Sequence, residues 1–160
     1  HGMLTMDKLG YKSDIVVQLS PTCPFVKVES ISKSIKYVKN KDCDCSVSLK
    51  KIEHEHPYRA RRLLKENFFE NFIKDINVEE KKYHSRQDLP TLYCTSGAIY
   101  TRKRHLLEEF NEADFAMGNT RKGVIMDDIE AINIDRAIDF EFAKFLLEQG
   151  IGKEYIKKNA

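Results

Sequence analysis

Asp14-Ile15-Val16-Val17-Gln18-Leu19-Ser20-Pro21-Thr22-Cys23-Pro24 is a β-branched run that stops at two prolines. A short apolar run bounded by turn residues reads as a buried strand, and the prolines stiffen the loop that it feeds. Downstream, Val28, Ile31, Ile35 and Val38 recur at helical spacing, which predicts an amphipathic helix from Val28 to Asn40 with its lysines outward. Cys45 to Ile52 then reads as a second strand, with Cys45, Val47 and Leu49 on one face. Strand, loop, helix and strand make a β-loop-α-β unit, whose crossover favours parallel strands. The chain is thus expected to be a layered α/β domain.

Working outward from that unit, Gly97-Ala98-Ile99-Tyr100-Thr101 predicts a strand. Arg102 to Asn111 predicts a helix with Leu106, Leu107 and Phe110 inward and Arg102 on its outer face. Val124-Ile125-Met126 and Ala131-Ile132-Asn133-Ile134 read as short strands divided by Asp127-Asp128. A last helix is expected from Arg136 to about Gln149, with Ile138, Phe142, Phe145 and Leu146 inside and Gly150 as its C-cap. Residues 3–150 form one domain on this reading, and 151–160 a tail or short helix. His1-Gly2 ahead of Met3 reads as the remnant of an expression tag, with Met3 the natural start.

Residues 58–89 differ in character. They are rich in Arg and Lys, carry Phe68, Phe69, Phe72 and Ile73 close together, and include Glu79-Glu80-Lys81-Lys82. The stretch reads as an excursion from the sheet, its aromatic cluster a local mini-core or a subunit interface that would make the chain a dimer.

Composition narrows the function. The 160 residues are 41% hydrophobic and 32% charged, enough apolar material for a real core. With 27 Lys and Arg against 25 Asp and Glu the net charge is +2, which gives no global attraction to nucleic acid or anionic membrane. No run approaches a membrane span and no secretory signal is apparent, so the expected address is the cytoplasm. Four cysteines, Cys23, Cys43, Cys45 and Cys94, are expected to be thiols, since a core of this size needs no staples. Cys43, Cys45, His54 and His56 together supply zinc-ligand types, which is one reading of the chain as a regulatory domain. The other reading makes Cys45 a small core hydrophobe on its strand. His54, His56 and His84 have no Ser or Cys partner at recognisable spacing, so nucleophilic catalysis gains little support.

In open α/β sheets ligands sit beyond the carboxyl ends of the strands. After the first strand comes Ser20-Pro21-Thr22-Cys23-Pro24-Phe25; after the second comes Glu53-His54-Glu55-His56-Pro57-Tyr58-Arg59. Ser85-Arg86-Gln87-Asp88-Leu89-Pro90 precedes the Gly97 strand, and Asn133-Ile134-Asp135 with Asp139-Phe140 follows the Ala131 run. P-T-x-P, H-P-x-R, R-Q-x-L-P ahead of G-A-I-Y, and I-D-x-x-x-D-F in that order resemble the acylneuraminate cytidylyltransferases, or CMP-sialic acid synthetases. The resemblance runs from about Lys12 to Gly150, roughly the last two-thirds of a family member.

The resemblance implies a three-layer αβα, Rossmann-like nucleotide-diphospho-sugar transferase fold with a mixed, mostly parallel sheet, truncated at the N-terminus. It implies transfer of CMP from CTP to the anomeric oxygen of a nonulosonic acid, with Mg2+ as cofactor and a homodimer as the assembly. Arg59 and Arg86 match basic positions suited to the sugar carboxylate, since a guanidinium offers a bidentate fork. Ser20, Thr22, Gln87, Tyr100 and Phe115 fall at substrate-contacting positions. Asn133 and Asp135 match a D-I-D metal motif in which Asn keeps an oxygen but loses a charge, and Asp135 also suits a helix N-cap. The family pattern Q-P-T-S-P-L-R is altered here at its Gln, Ser and Arg, and no glycine-rich basic loop that would cradle nucleotide phosphates occurs. Truncation of the chain, gene decay or a separate N-terminal fragment acting as a partner would each account for the absent loop, and a non-catalytic relic or interaction module that keeps the sugar side is the alternative.

Overall fold

The computed structural model describes residues 1–41, 43–73, 85–110 and 115–156. The chain divides into two units, one of residues 1–50 and 95–160, the other of Lys51–Cys94.

The first unit is α/β. Its sheet has the order β1-β5-β2-β6, formed by β1 (Ile15–Leu19), β5 (Tyr93–Lys103), β2 (Cys45–Lys51) and β6 (Arg121–Met126). β1 pairs antiparallel with β5, from Ile15 opposite Lys103 to Leu19 opposite Ile99, and β2 pairs parallel with β6. β5 also runs against β2: the Lys103 N–H donates to the Asp44 carbonyl, while further along β2 the Ser48 hydroxyl accepts from the Ile99 N–H. β1 and β2 therefore run the same way, as the crossover favours, but β5 is inserted antiparallel between them; with β2–β6 its one parallel pairing, the sheet is mixed and not mostly parallel as expected.

α2 (Val28–Lys39) makes that crossover, and its buried residues are Ser30, Ser34 and Val38. Val28, expected inside, is exposed, and Ile31 and Ile35 are half-buried. Ser34 faces the sheet because Thr101 supplies a partner: Ser34 Oγ donates to Thr101 Oγ1 at 2.7 Å. β2 is buried on both faces over Cys45–Ser48 rather than one, as an interior strand must be.

Several expectations are corrected. The Gly97 strand begins at Tyr93 and continues through Lys103, so Arg102 is a buried strand residue, and α3 spans only Arg104–Glu108. Phe110, expected inside, is exposed. Ala131–Ile134 is not a strand: the Asp127 carboxylate accepts from the Ile129 and Glu130 N–H groups and winds the chain into a turn after β6. An N-terminal helix, α1 (Gly2–Lys8), precedes β1, and its Asp7 pairs with Arg104.

The last long helix, α4 (Ala137–Glu148), is capped by Arg136, not Asp135. The Asp139 carboxylate closes that end, accepting from the Arg136 N–H at 2.9 Å and the Asp135 N–H at 3.2 Å. Ala143 and Leu146 are its buried residues; Ile138, Phe142 and Phe145, expected inside, are exposed. Gly150 follows at φ +78°, where a side chain would be strained, and α5 (Lys153–Ile156) comes after it. Gly152 is needed for a different reason: a Cβ there would lie 2.7 Å from the Phe25 ring.

The second unit contains β3 (Arg61–Leu63) and β4 (Phe69–Asn71), an antiparallel hairpin flanked by short 3-10 turns. Its turn passes through Glu66 and Asn67 at positive φ. Leu63, Leu64, Phe68, Phe69 and Phe72 are all exposed, so the expected mini-core is not formed among the described residues. The Glu79–Lys82 run and His84 lie outside the described residues. No helix among the described residues is long and apolar enough to cross a membrane.

Candidate functional site

The loop after β1 is held by alternate side chains. Cys23 packs with Ala98, Ile99, Met126 and Ala131, and Phe25 packs with Ala143 and Leu146. The segment after the Asp127 turn is held the same way, with Ile132 and Ile134 packed against Phe25's cluster. Asn133 and Asp135 are left on the opposite side, which gives them the shared facing expected of a strand without strand pairing. One backbone bond joins the two segments: the Ile134 N–H donates to the Thr22 carbonyl at 2.9 Å.

The side chains complete the junction. Cys23 Sγ donates to Asn133 Oδ1 at 3.6 Å across 110 residues of sequence, and Asn133 Nδ2 donates to Asp135 Oδ2 at 2.8 Å. Ser20 Oγ and Thr22 Oγ1 share a 2.7 Å hydrogen bond. Burial pushes the Cys23 thiol up, partly offset by the Ser20 and Thr22 hydroxyls. It therefore stays a protonated donor and not a nucleophile. Ser20, Thr22, Asn133 and Asp135 are thus brought together, and Cys23, which sequence reading left out of the site, links them.

Asp135 is exposed, and because Asp139 and Arg136 close α4 its carboxylate is not spent on capping. Asn133 turns its amide nitrogen to Asp135 and its carbonyl oxygen to Cys23. The Asp135 carboxylate suits a hard cation that completes its shell with phosphates and water, whereas Asn133 presents its amide nitrogen on that side. Among the described residues no three His, Cys, Asp or Glu side chains form a group able to hold a metal by themselves.

Tyr100 and Phe115 also belong to the first unit. Tyr100 is half-buried on β5 opposite Gln18, with the Arg102 guanidinium 4.7 Å from its ring centroid. Phe115 is exposed at φ +55°.

Arg59, Arg86 and Gln87 lie in the second unit. Arg59 ends a 3-10 turn begun by Pro57, and its N–H donates to the His56 carbonyl at 2.8 Å. Arg86 is exposed, with Nη1 3.4 Å from His54 Nδ1 and Nη2 3.8 Å from Glu53 Oε2. The Gln87 N–H donates to Ser85 Oγ, which caps that turn.

The zinc reading loses a ligand to structure. His56 is buried, its Nδ1 accepts from the Tyr58 N–H at 3.2 Å, and its Nε2 therefore carries the proton that goes to the Pro90 carbonyl at 3.0 Å. Cys43 and Cys45 are buried thiols, and burial pushes the Cys45 thiol up. No protein-family model matches the chain, and no curated protein matches it.

Proposed function

We propose that the chain belongs to a cytidylyltransferase of the CMP-sialic acid synthetase type, acting on a nonulosonic acid, and that it carries the acceptor and metal side of the reaction. The observation that supports this best is the convergence of Ser20 and Thr22 with Asn133 and Asp135, picked out by two separate motifs. In this reading Asp135 would hold Mg2+ through its carboxylate, with Asn133 orienting or completing that ligand. The ion would neutralise phosphate charge during in-line displacement. Ser20, Thr22 and Tyr100 contact substrate through hydroxyls, Gln87 through its amide and Phe115 through its ring. Arg59 and Arg86 engage the acid's carboxylate, and positioning rather than a strong base carries the chemistry.

The 160 residues hold no glycine-rich phosphate loop, so binding is the informative readout. Calorimetry with sialic, legionaminic and pseudaminic acids is expected to find one that binds. Arg59→Ala and Arg86→Ala should each weaken it more than tenfold, the effect of losing a charge-assisted pair of about 1.5–3 kcal/mol. Lys33→Ala, on the exposed side of α2, should leave binding unchanged. Failure of all three acids to bind would overturn the reading. Turnover with CTP and Mg2+ by these residues alone is expected to be undetectable.

The interaction-module reading is favoured by the second unit, where Leu63, Phe68 and Phe69 stand exposed on and beside a two-stranded hairpin. An isolated hairpin is marginal in water, so an associated state, a homodimer in this proposal, would cover that apolar surface.

A further inference from the structure

We propose that Arg102, Gln18 and Tyr100 form an oxyanion site on the sheet face opposite α2, for a small molecule that presents a carboxylate or phosphate. No motif in the sequence marks Arg102, and the inference stands whether or not the chain is a cytidylyltransferase.

The placement follows from the pleat. Thr101 faces α2 through its bond to Ser34, so its neighbours Tyr100 and Arg102 point to the other side. Gln18 sits directly opposite Tyr100 across the β1–β5 pairing. Arg102 is only 6% exposed, lies with its guanidinium carbon over the Tyr100 ring, and donates from Nη1 to Gln18 Oε1 at 3.1 Å.

Among the described residues, that arrangement gives the buried cation no carboxylate partner. An arginine stays protonated at any ordinary pH, and a buried guanidinium is normally paired with a carboxylate. Here the only side-chain acceptor among the described residues is a neutral amide, and the buried Nε has no hydrogen-bond partner. With Nη1 committed to Gln18, the edge left is the one formed by Nε and Nη2. That is the fork which takes two oxygens of a carboxylate or phosphate at once. The Tyr100 ring supports the guanidinium carbon, and exposed Gln18 borders the site at Nη1. A buried, unpaired guanidinium is costly, which is the expected signature of a group kept for a ligand rather than for stability.

The test uses 15N-labelled chain and two probes, inorganic phosphate and pyruvate, each titrated at constant ionic strength against chloride. A saturable shift of the Arg102 Nε–H resonance and a rise in the thermal midpoint are expected with at least one probe, and the more effective one identifies the class. Gln18→Glu would place a carboxylate beside the guanidinium at an exposed position. It should raise the midpoint without any anion and weaken probe binding at least tenfold. Arg102→Met should abolish the response and unfold at the same temperature as the parent or higher, because an uncompensated buried charge is gone. An Nε–H resonance that neither probe moves would overturn the site. So would a Gln18→Glu variant with undiminished probe binding, or an Arg102→Met variant that folds but melts markedly lower.

Discussion

Three of the serines buried in the first unit differ in what their hydroxyls reach, and this sets opposite outcomes for the same substitution. Ser34 donates to Thr101, and Ser48 accepts from the Ser96 hydroxyl at 2.7 Å and the Ile99 N–H at 2.8 Å. Ser46, fully buried beside them in sequence, has an Oγ with no partner. Ser46→Ala is expected to stabilise the protein by up to about 1 kcal/mol, because it removes a desolvated group that gains nothing. Ser34→Ala should cost about 1–3 kcal/mol by stranding Thr101, and Ser34→Ala with Thr101→Val should cost less than the two singles summed. Urea unfolding of the set measures all of these; a destabilised Ser46→Ala would mean that its hydroxyl has found a partner. Asp44 is the corresponding charged case. The Lys103 ammonium at 2.8 Å, together with the Thr120 N–H and hydroxyl, holds its carboxyl well below the ordinary aspartate value of 3.8. A carboxyl lowered in the folded state contributes stability that is present above its unfolded value and lost as pH falls below it. The parent should therefore exceed Asp44→Asn in stability at pH 6, with the gap closing as pH drops through about 4 and below. A gap that stays constant with pH would assign the aspartate's effect to shape rather than charge.

At the scale of elements, the C-terminal helix is attached mainly by one side chain. Tyr155 packs edge-on against Phe25 at 6.2 Å, lies under Lys27 Nζ at 4.3 Å, and sends its hydroxyl to the Asp127 carboxylate at 3.2 Å. Burial and the Asp127 charge push its phenol up, so it remains a donor. Tyr155→Phe keeps both ring contacts and should cost about 0.5–1.5 kcal/mol. Amide exchange should quicken over Lys153–Ile156 while β5 stays protected; uniform loss of protection would show that α5 is integral to the core. The same local logic explains what could be read from the sequence. β1, α2 and β2 were legible because a β-branched run and a helical period are properties of neighbouring residues. The insertion of β5 between β1 and β2 was not, since antiparallel pairing across some eighty residues leaves no local mark. Arg102 was misplaced because Leu106, Leu107 and Phe110 imitate a helical stripe that starts earlier than α3 does. Ala131–Ile134 imitates a strand, and only the Asp127 carboxylate, bonding forward to Ile129 and Glu130, reveals the turn. At the candidate site, motifs in the sequence mark Ser20, Thr22, Asn133 and Asp135; a lone thiol such as Cys23 gives no signal until its partner 110 residues away is known.

For the molecule as a whole, the question is what covers its unfinished surfaces. β1 is an outer strand of the sheet, with no strand on its far side among the described residues, and Ile15–Leu19 contains no charge and no proline. Such an edge is a template for another chain. In the second unit Phe68 and Phe69 are each 67% exposed, and α4 adds Ile138, Phe142 and Phe145 in the first. This much apolar surface on a chain of 160 residues is expected to drive concentration-dependent self-association, visible in sedimentation velocity. The choice of variant decides what the experiment reads. Val17 lies opposite Thr101, on the α2 side of β1, and packs against the Cys23 cluster, so a lysine there would report on the core. Leu19 is exposed at the end of the strand, and Leu19→Lys places a charge on the edge without emptying the interior. Phe69→Glu does the same for the hairpin. If the edge is the contact, Leu19→Lys should dissociate the species and Phe69→Glu should not; if the hairpin is, the pattern reverses. A parent chain that sediments as a monomer at high concentration, with slow amide exchange along Ile15–Leu19, would mean that the edge is closed within the chain itself.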